Sequence, residues 1–248
     1  MRFAAVDWSG RAVGGRRHIW TAIVQEGRLA LEGGRDRRQV GDRLVELALA
    51  DPRLVVGLDF GFSLPLWFLT AHGVENGLEV SEDLAESWLR ECPPPFWGRR
   101  GRRRGPEPQL RLTELAARTA KSVFQVGGAG SVGTGSLRGF PLLRRLRAEG
   151  FALWPFDEPR LPLALEIFPR LLTGPVRKSR LEERRSYLRQ RDWPAEPAVS
   201  EDAFDAAVSA LRMHARADLL LGLAPERDPV YRREGRIWSP PLPLDPRA

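Results

Sequence analysis

Arg2-Phe3-Ala4-Ala5-Val6-Asp7-Trp8, broken by Ser9-Gly10-Arg11, is an apolar, β-prone run closed by an acid, and it reads as a strand. His18–Gln25 and Arg28–Glu32 are two more strand candidates separated by Glu26-Gly27, the pattern of a hairpin placed directly after the first strand. Gln39–Ala50 carries Val40, Leu44, Leu47 and Ala48 at helical spacing, and Asp51-Pro52 stops it because proline cannot continue a helix. Leu54-Val55-Val56-Gly57-Leu58-Asp59 repeats the opening pattern, a short apolar run ending in an acid, as a buried strand would. This order predicts an α/β fold. Its mixed central sheet has three antiparallel strands followed by parallel ones, with helices on both faces.

Further along, Leu66–His72, Glu82–Arg90, Leu112–Ala120 and Leu137–Glu149 read as helices, and Phe151–Phe156 and Leu163–Phe168 as strands. Ser179–Arg191 is a charged helix that Ser179 and Glu182 open as a capping box. Ser200–Leu223 is the longest helical pattern, with Ser200 as N-cap and Glu201 and Asp202 in its first turn. One domain spanning 1–248 is expected, with 66–150 as an insertion rimming a site and 225–248 as an extended surface tail.

The chain has 248 residues, 42% of them hydrophobic, enough to bury a core and too apolar for a disordered chain. No apolar run reaches the roughly 18 residues of a membrane span, and the opening Met1–Asp7 reaches a charge too early for a secretory signal. A single cysteine, Cys92, excludes an intramolecular disulfide and a cysteine-based metal site. A soluble, cytoplasmic protein is expected. The formal net charge of +7, from 39 basic and 32 acidic residues, suits an anionic partner such as nucleic acid. Only Lys121 and Lys178 are lysines, so the same balance also reads as a plain abundance of arginine.

Acids stand where elements begin or end. Asp7 and Asp59 close strands, Glu166 lies inside the apolar run Leu163–Phe168, and Asp202 and Asp205 share one face of the last long helix at i, i+3. A carboxylate in an apolar strand is costly unless paired, neutral or bound to a cation. Each acid has a plain structural reading: a turn cap for Asp7 and Asp59, a helix-dipole charge for Asp202, an arginine pair for Glu166. Together they point to one site in which a divalent cation offsets their repulsion, and oxygen-only ligands favour Mg²⁺ or Mn²⁺. His18, His72 and His214 show no metal spacing, and His214 is expected at the surface.

Val6-Asp7-Trp8-Ser9-Gly10, Gly57-Leu58-Asp59-Phe60-Gly61-Phe62-Ser63-Leu64-Pro65, Leu165-Glu166-Ile167-Phe168-Pro169-Arg170 and Asp202-Ala203-Phe204-Asp205-Ala206 occur in that order. The ordered set resembles the DUF429 family of predicted RNase H-like nucleases, over residues 3 to about 223. The last motif also resembles the final-helix element of Holliday-junction resolvases of that superfamily. The resemblance implies an RNase H-like sheet and a divalent-metal nuclease, with Asp7, Asp59, Asp202 and Asp205 as metal ligands and Glu166 as a fifth catalytic acid. Resolvases usually carry glutamate where Asp59 stands. It also implies that Arg111, Glu114 and the loop with Gly128, Gly130 and Ser131 face the substrate.

Gly128-Ala129-Gly130-Ser131-Val132-Gly133 has dinucleotide glycine spacing but lies mid-chain, away from the first strand of a βαβ unit, so it reads as a mobile loop or a phosphate cradle. Arg99-Arg100-Gly101-Arg102-Arg103-Arg104, beside Phe96 and Trp97, suits a phosphate backbone or a solvated loop equally. Lys178, with Arg177 and Arg180, forms a second basic cluster assigned to substrate. Two other readings stand beside the nuclease: a non-catalytic nucleic-acid- or nucleotide-binding module of the same fold, and an actin-like or kinase-like phosphotransferase, for which the chain is too short to hold a duplicated domain.

Overall fold

The computed structural model describes residues 1–98, 108–118, 120–128 and 130–240. The arginine run at 99–104, Ala129 and the last eight residues of the tail lie outside these. The chain runs β1 (Arg2–Asp7), β2 (Trp20–Gln25), β3 (Arg28–Gly33), α1 (Arg37–Ala50), β4 (Leu54–Leu58), α2 (Leu66–Ala71), α3 (Glu82–Glu91), α4 (Leu112–Ala117) and α5 (Val132–Ala148). It continues through β5 (Ala152–Trp154), β6 (Leu163–Ile167), α6 (Pro169–Thr173), α7 (Leu181–Arg189), α8 (Glu201–Ala215), α9 (Ala217–Leu221), α10 (Tyr231–Glu234) and β7 (Ile237–Trp238).

These strands make one mixed seven-stranded sheet in the order β3-β2-β1-β4-β6-β5, with β7 pairing β6 end to end with β5. β1–β2 and β2–β3 are antiparallel; β1–β4, β4–β6, β5–β6 and β6–β7 are parallel. The expected α/β class and strand directions are present. All five residues of β4 are buried, as a strand covered on both faces requires.

Side-chain alternation divides the core. Ala4, Val6, Val56 and Leu58 join the cluster built with Val40 and Leu44 of α1 and with Leu137, Phe140 and Leu143 of α5. Phe3, Ala5, Val55 and Leu165 join the opposite cluster with Ala206, Ala207 and Ala210 of α8, whose small side chains let the helix lie close to the sheet. Helices therefore cover both faces. Asp36 accepts from Gln39 N at 2.9 Å while the Gln39 side chain accepts from Asp36 N at 3.0 Å, so α1 begins two residues before its expected start.

Five expectations need correction. The segment 66–150 does not merely rim a site: Phe68 meets Trp88, Phe96 and Phe124 with ring centroids 5.1, 5.6 and 5.1 Å apart, completing the α5-side core. The tail is not wholly extended, because α10 and β7 fold back onto β6. α5 begins at Val132, inside the glycine-rich stretch read as a loop, and α7 starts after Arg180 with no side-chain cap from Ser179. His214 packs edge-on against Phe3 with centroids 5.6 Å apart instead of standing free at the surface.

Gly139 sits within α5 facing Phe60, whose buried ring atoms would lie 2.3–2.6 Å from an added Cβ. Helix propensity alone favours alanine there by about 1 kcal/mol, and overpacking opposes it by about 1–3 kcal/mol. Phe60 is wedged between Trp8 and Phe62, with centroids 5.1 and 5.5 Å away, so overpacking prevails. Gly139→Ala is expected to lower the unfolding free energy in a urea titration; a gain would contradict this packing.

Candidate functional site

The site follows from strand register. Val6 pairs with Leu58 across the parallel β1–β4 ladder, and Asp59 N donates to Val6 O at 3.1 Å. Asp7 and Asp59 are thus neighbours at the carboxyl ends of adjacent strands, on the face covered by α8. Their successors Trp8 and Phe60 point to the other face, where Trp8 Nε1 donates to Gly135 O at 3.0 Å in the first turn of α5. On α8, Ser200 caps the helix by accepting from Ala203 N at 3.0 Å, which sets Asp202 in the first turn and Asp205 one turn further on.

The charges of these acids bear on one another. Burial, then the charges of Asp59, Asp205 and Asp202, raises the Asp7 carboxyl well above the usual range, against the pull of Lys178. Burial, then Asp205, pushes Asp59 up to about 8. Burial likewise pushes Asp205 to about 6, although Lys178 opposes it by charge and hydrogen bond. Asp202 is more exposed, and its Oδ2 lies 3.0 Å from His18 Nδ1, a partner with no local signal in the sequence.

Lys178 is the cation of the cluster. Its ammonium bonds Asp205 Oδ2, and Arg184 holds the Lys178 carbonyl. Burial would lower the ammonium, but Asp205, Asp59 and Asp7 together hold it above its ordinary value. The other Asp205 oxygen, Oδ1, is buried with no hydrogen-bond partner. Such an orphaned oxygen is expensive. Among the described residues, no three His, Cys, Asp or Glu side chains form a ready-made metal cage.

Glu166 does not join the cluster. It aligns with Leu58 on β4, one register position before Asp59, so its side chain leaves the opposite face of the sheet. There Arg111 Nη1 and Nη2 donate to it at 2.9 and 2.5 Å, and Phe62 N donates at 2.9 Å. Arg111 Nε also donates to Glu114 at 3.0 Å, and Nη1 to Glu234 O at 2.9 Å. The Arg111 and Glu166 side chains are only 1% and 3% exposed. Glu166, Arg111 and Glu114 therefore form a buried ionic frame, and all three also line the cleft that holds Asp7 and Asp59. Glu234 extends the frame by accepting from Leu66 N at 2.7 Å and Leu112 N at 2.6 Å, tying the first turns of α2 and α4 together.

A cleft of about 550 Å³ crosses the strand ends and is lined by Asp7, Asp59 and Asp202 as well as by Gly128, Gly130 and Ser131. The glycines take left-handed φ of +85° and +70°. Two of the first amides at the loop–helix junction already donate inward, Val132 N to Gly130 O and Gly133 N to Gln125 O, both at 2.9 Å. The loop is a wall of the cleft. Among the described residues, no helix is long and apolar enough to cross a membrane. The chain matches no protein-family model, no curated protein and no solved structure.

Two carboxylates share one guanidinium in the frame. Burial is the main reason Glu114 is pushed up from 4.5 to about 7, with Glu166 adding to the shift and Arg111 opposing it. The folded form thus holds a proton that the unfolded chain releases. That stabilisation is complete below about pH 4.5 and is lost as the pH rises through about 7, by at most about 1.4 kcal/mol per pH unit. Urea titrations at pH 5 and pH 8 should show the wild type losing stability relative to Glu114→Gln; a constant difference would contradict the shared-proton frame.

Proposed function

We propose that the chain is a divalent-cation-dependent phosphodiesterase acting on nucleic acid, built on an RNase H-like sheet. The buried, unpartnered Asp205 Oδ1 beside the raised carboxyls of Asp7 and Asp59 carries this reading. The donor set is all carboxylate, which suits a hard cation such as Mg²⁺ or Mn²⁺. Asp7, Asp59 and Asp205 would hold it, with Asp202 at the outer edge beside His18. When bound there, such an ion supplies an activated water and stabilises the oxygen leaving phosphorus. The three-antiparallel-then-parallel strand order and the four ordered motifs that resemble DUF429 proteins support the same reading.

The chain's own groups do the rest. The strand ends hold two carboxylates in fixed register, the ionic frame around Arg111 braces β6 against the β4–α2 connection, and the glycine-rich wall leaves the cleft open to a strand. Lys178 neutralises Asp205, and with a cation in that role its ammonium would be free to meet a phosphate.

A second reading has its own observation. Lys178 already compensates the cluster, and no three-residue cage is preformed among the described residues, as in a module that binds nucleic acid without cutting it. A cleavage panel of single- and double-stranded DNA, RNA, hybrid and branched substrates, with Mn²⁺ or with EDTA, separates the two. Cation-dependent cleavage is expected, falling roughly 10²-fold or more in Asp7→Asn. In EDTA, Asp7→Asn should melt at or above the wild-type temperature, because the change relieves like-charge repulsion. Absence of cleavage together with no Mn²⁺-dependent shift in melting temperature would favour the binding module.

A further inference from the structure

A larger cavity, about 700 Å³, opens on the α5 side of the sheet between the turn after β1, the start of α1 and the outer face of α5. Trp8 and Arg11 line both this cavity and the acidic cleft, so the two share a wall. Six arginines line it, Arg11, Arg16, Arg37, Arg38, Arg138 and Arg145, against the acids Asp36 and Glu82. No local run announces them, since they come from three distant segments of the chain.

Several arginines elsewhere on the chain pair with an acid. Arg43 pairs with Glu32 at 2.9 Å, Arg53 with Asp51 at 3.2 Å and Arg185 with Glu182 at 3.0 Å. Within the cavity, Arg138 is committed to Glu86 at 2.7 Å and Arg145 to Asp42 at 2.7 Å. Among the described residues, Arg11, Arg16, Arg37 and Arg38 form no ion pair. Arg37 instead donates to the carbonyl oxygens of Arg11 at 2.9 Å and Ser9 at 3.4 Å, and Arg16 reaches only Gln39 Oε1 at 3.5 Å. Burial, then the charge of Arg138, lowers the Arg37 guanidinium, although Glu86, Asp36 and Glu82 oppose the shift.

Four unpaired guanidiniums in one hollow call for a ligand bearing several negative charges. The volume exceeds what one small oxyanion fills and falls within the ~300–1,000 Å³ of ligand-sized pockets. Ile19, Pro141 and Leu142 give it an apolar floor, suited to sugars and bases between phosphates. From this we infer that the arginine cavity is the backbone track for a nucleic-acid strand, binding successive phosphates of a chain whose reacting bond lies across Arg11 in the acidic cleft. The identity of the occupant as the substrate strand rests on the phosphodiesterase reading, whereas the polyanion site itself does not.

Fluorescence anisotropy of labelled single-stranded oligonucleotides in EDTA tests the track without cleavage. The charge reversal Arg16→Glu/Arg38→Glu changes two exposed side chains and should weaken binding of an oligonucleotide of about 20 nucleotides by at least about tenfold, with a shallower dependence of log K on log[salt] by about one to two. Arg28→Glu/Arg53→Glu, an equal charge change at the opposite end of the sheet, should leave affinity within about twofold. A wild-type affinity that grows from about 5 to about 20 nucleotides is expected, with inorganic phosphate a poor competitor. Equal weakening by the two double variants, wild-type binding by the groove variant, or equal affinity for short and long probes would overturn the track. If the wild type cleaves nothing while the groove variant loses binding, the phosphodiesterase reading fails and the track stands. If the wild type cleaves and the groove variant binds and cuts normally, the reverse holds.

Discussion

In-register pairing of β1 with β4 forces two aspartates side by side at the end of a buried sheet. Val6 opposite Leu58 leaves Asp7 and Asp59 no choice of face or distance beyond their rotamers. At the strand spacing of about 4.8 Å, two ionised carboxylates repel by roughly 3 kcal/mol at an effective dielectric of about 20. α8 adds Asp205 to the same point, and a lone ammonium, Lys178, answers for all of them. Repulsion is concentrated here and Asp205 Oδ1 is buried without a hydrogen-bond partner, which is the cost the proposed cation would relieve.

The surroundings make that arrangement rigid. Arg111 joins Glu166 on β6, Glu114 on α4 and the carbonyl of Glu234, while the Glu234 carboxylate takes the first amides of α2 and α4. Segments far apart in the chain meet at one guanidinium. A buried network of this kind contributes little net stability when complete, and losing one member costs several kcal/mol. Its consequence here is positional: the β4–α2 connection that follows Asp59 and the strand that carries Glu166 hold one relative placement.

Much of the architecture was legible because it is written locally. Apolar runs ending in acids, the Glu26-Gly27 hairpin and the Ser200 cap each state their structure within a few residues. What stayed hidden depends on register and on distant partners. Glu166 looks like Asp7 and Asp59 in the sequence, yet one position of strand offset sends it through the sheet to Arg111. His18 finds Asp202 across 184 residues, and the proline-rich tail conceals Glu234 and the short strand behind it. Glycines masked the first turn of α5, where tertiary packing against Trp8 and Val123 overrides weak helix propensity. The arginine cavity was equally invisible, because an abundance of arginine gives no sign of which ones lack partners.

The central claim is that Asp7, Asp59 and Asp205 form a cation-holding cluster with Lys178 as its resting counter-ion. Anomalous diffraction from crystals soaked in Mn²⁺ measures this directly. The account predicts a manganese peak within coordination distance of all three carboxylates, with the Lys178 ammonium withdrawn from Asp205. Crystals that show no peak there, with the Lys178–Asp205 contact intact at saturating Mn²⁺, would contradict it.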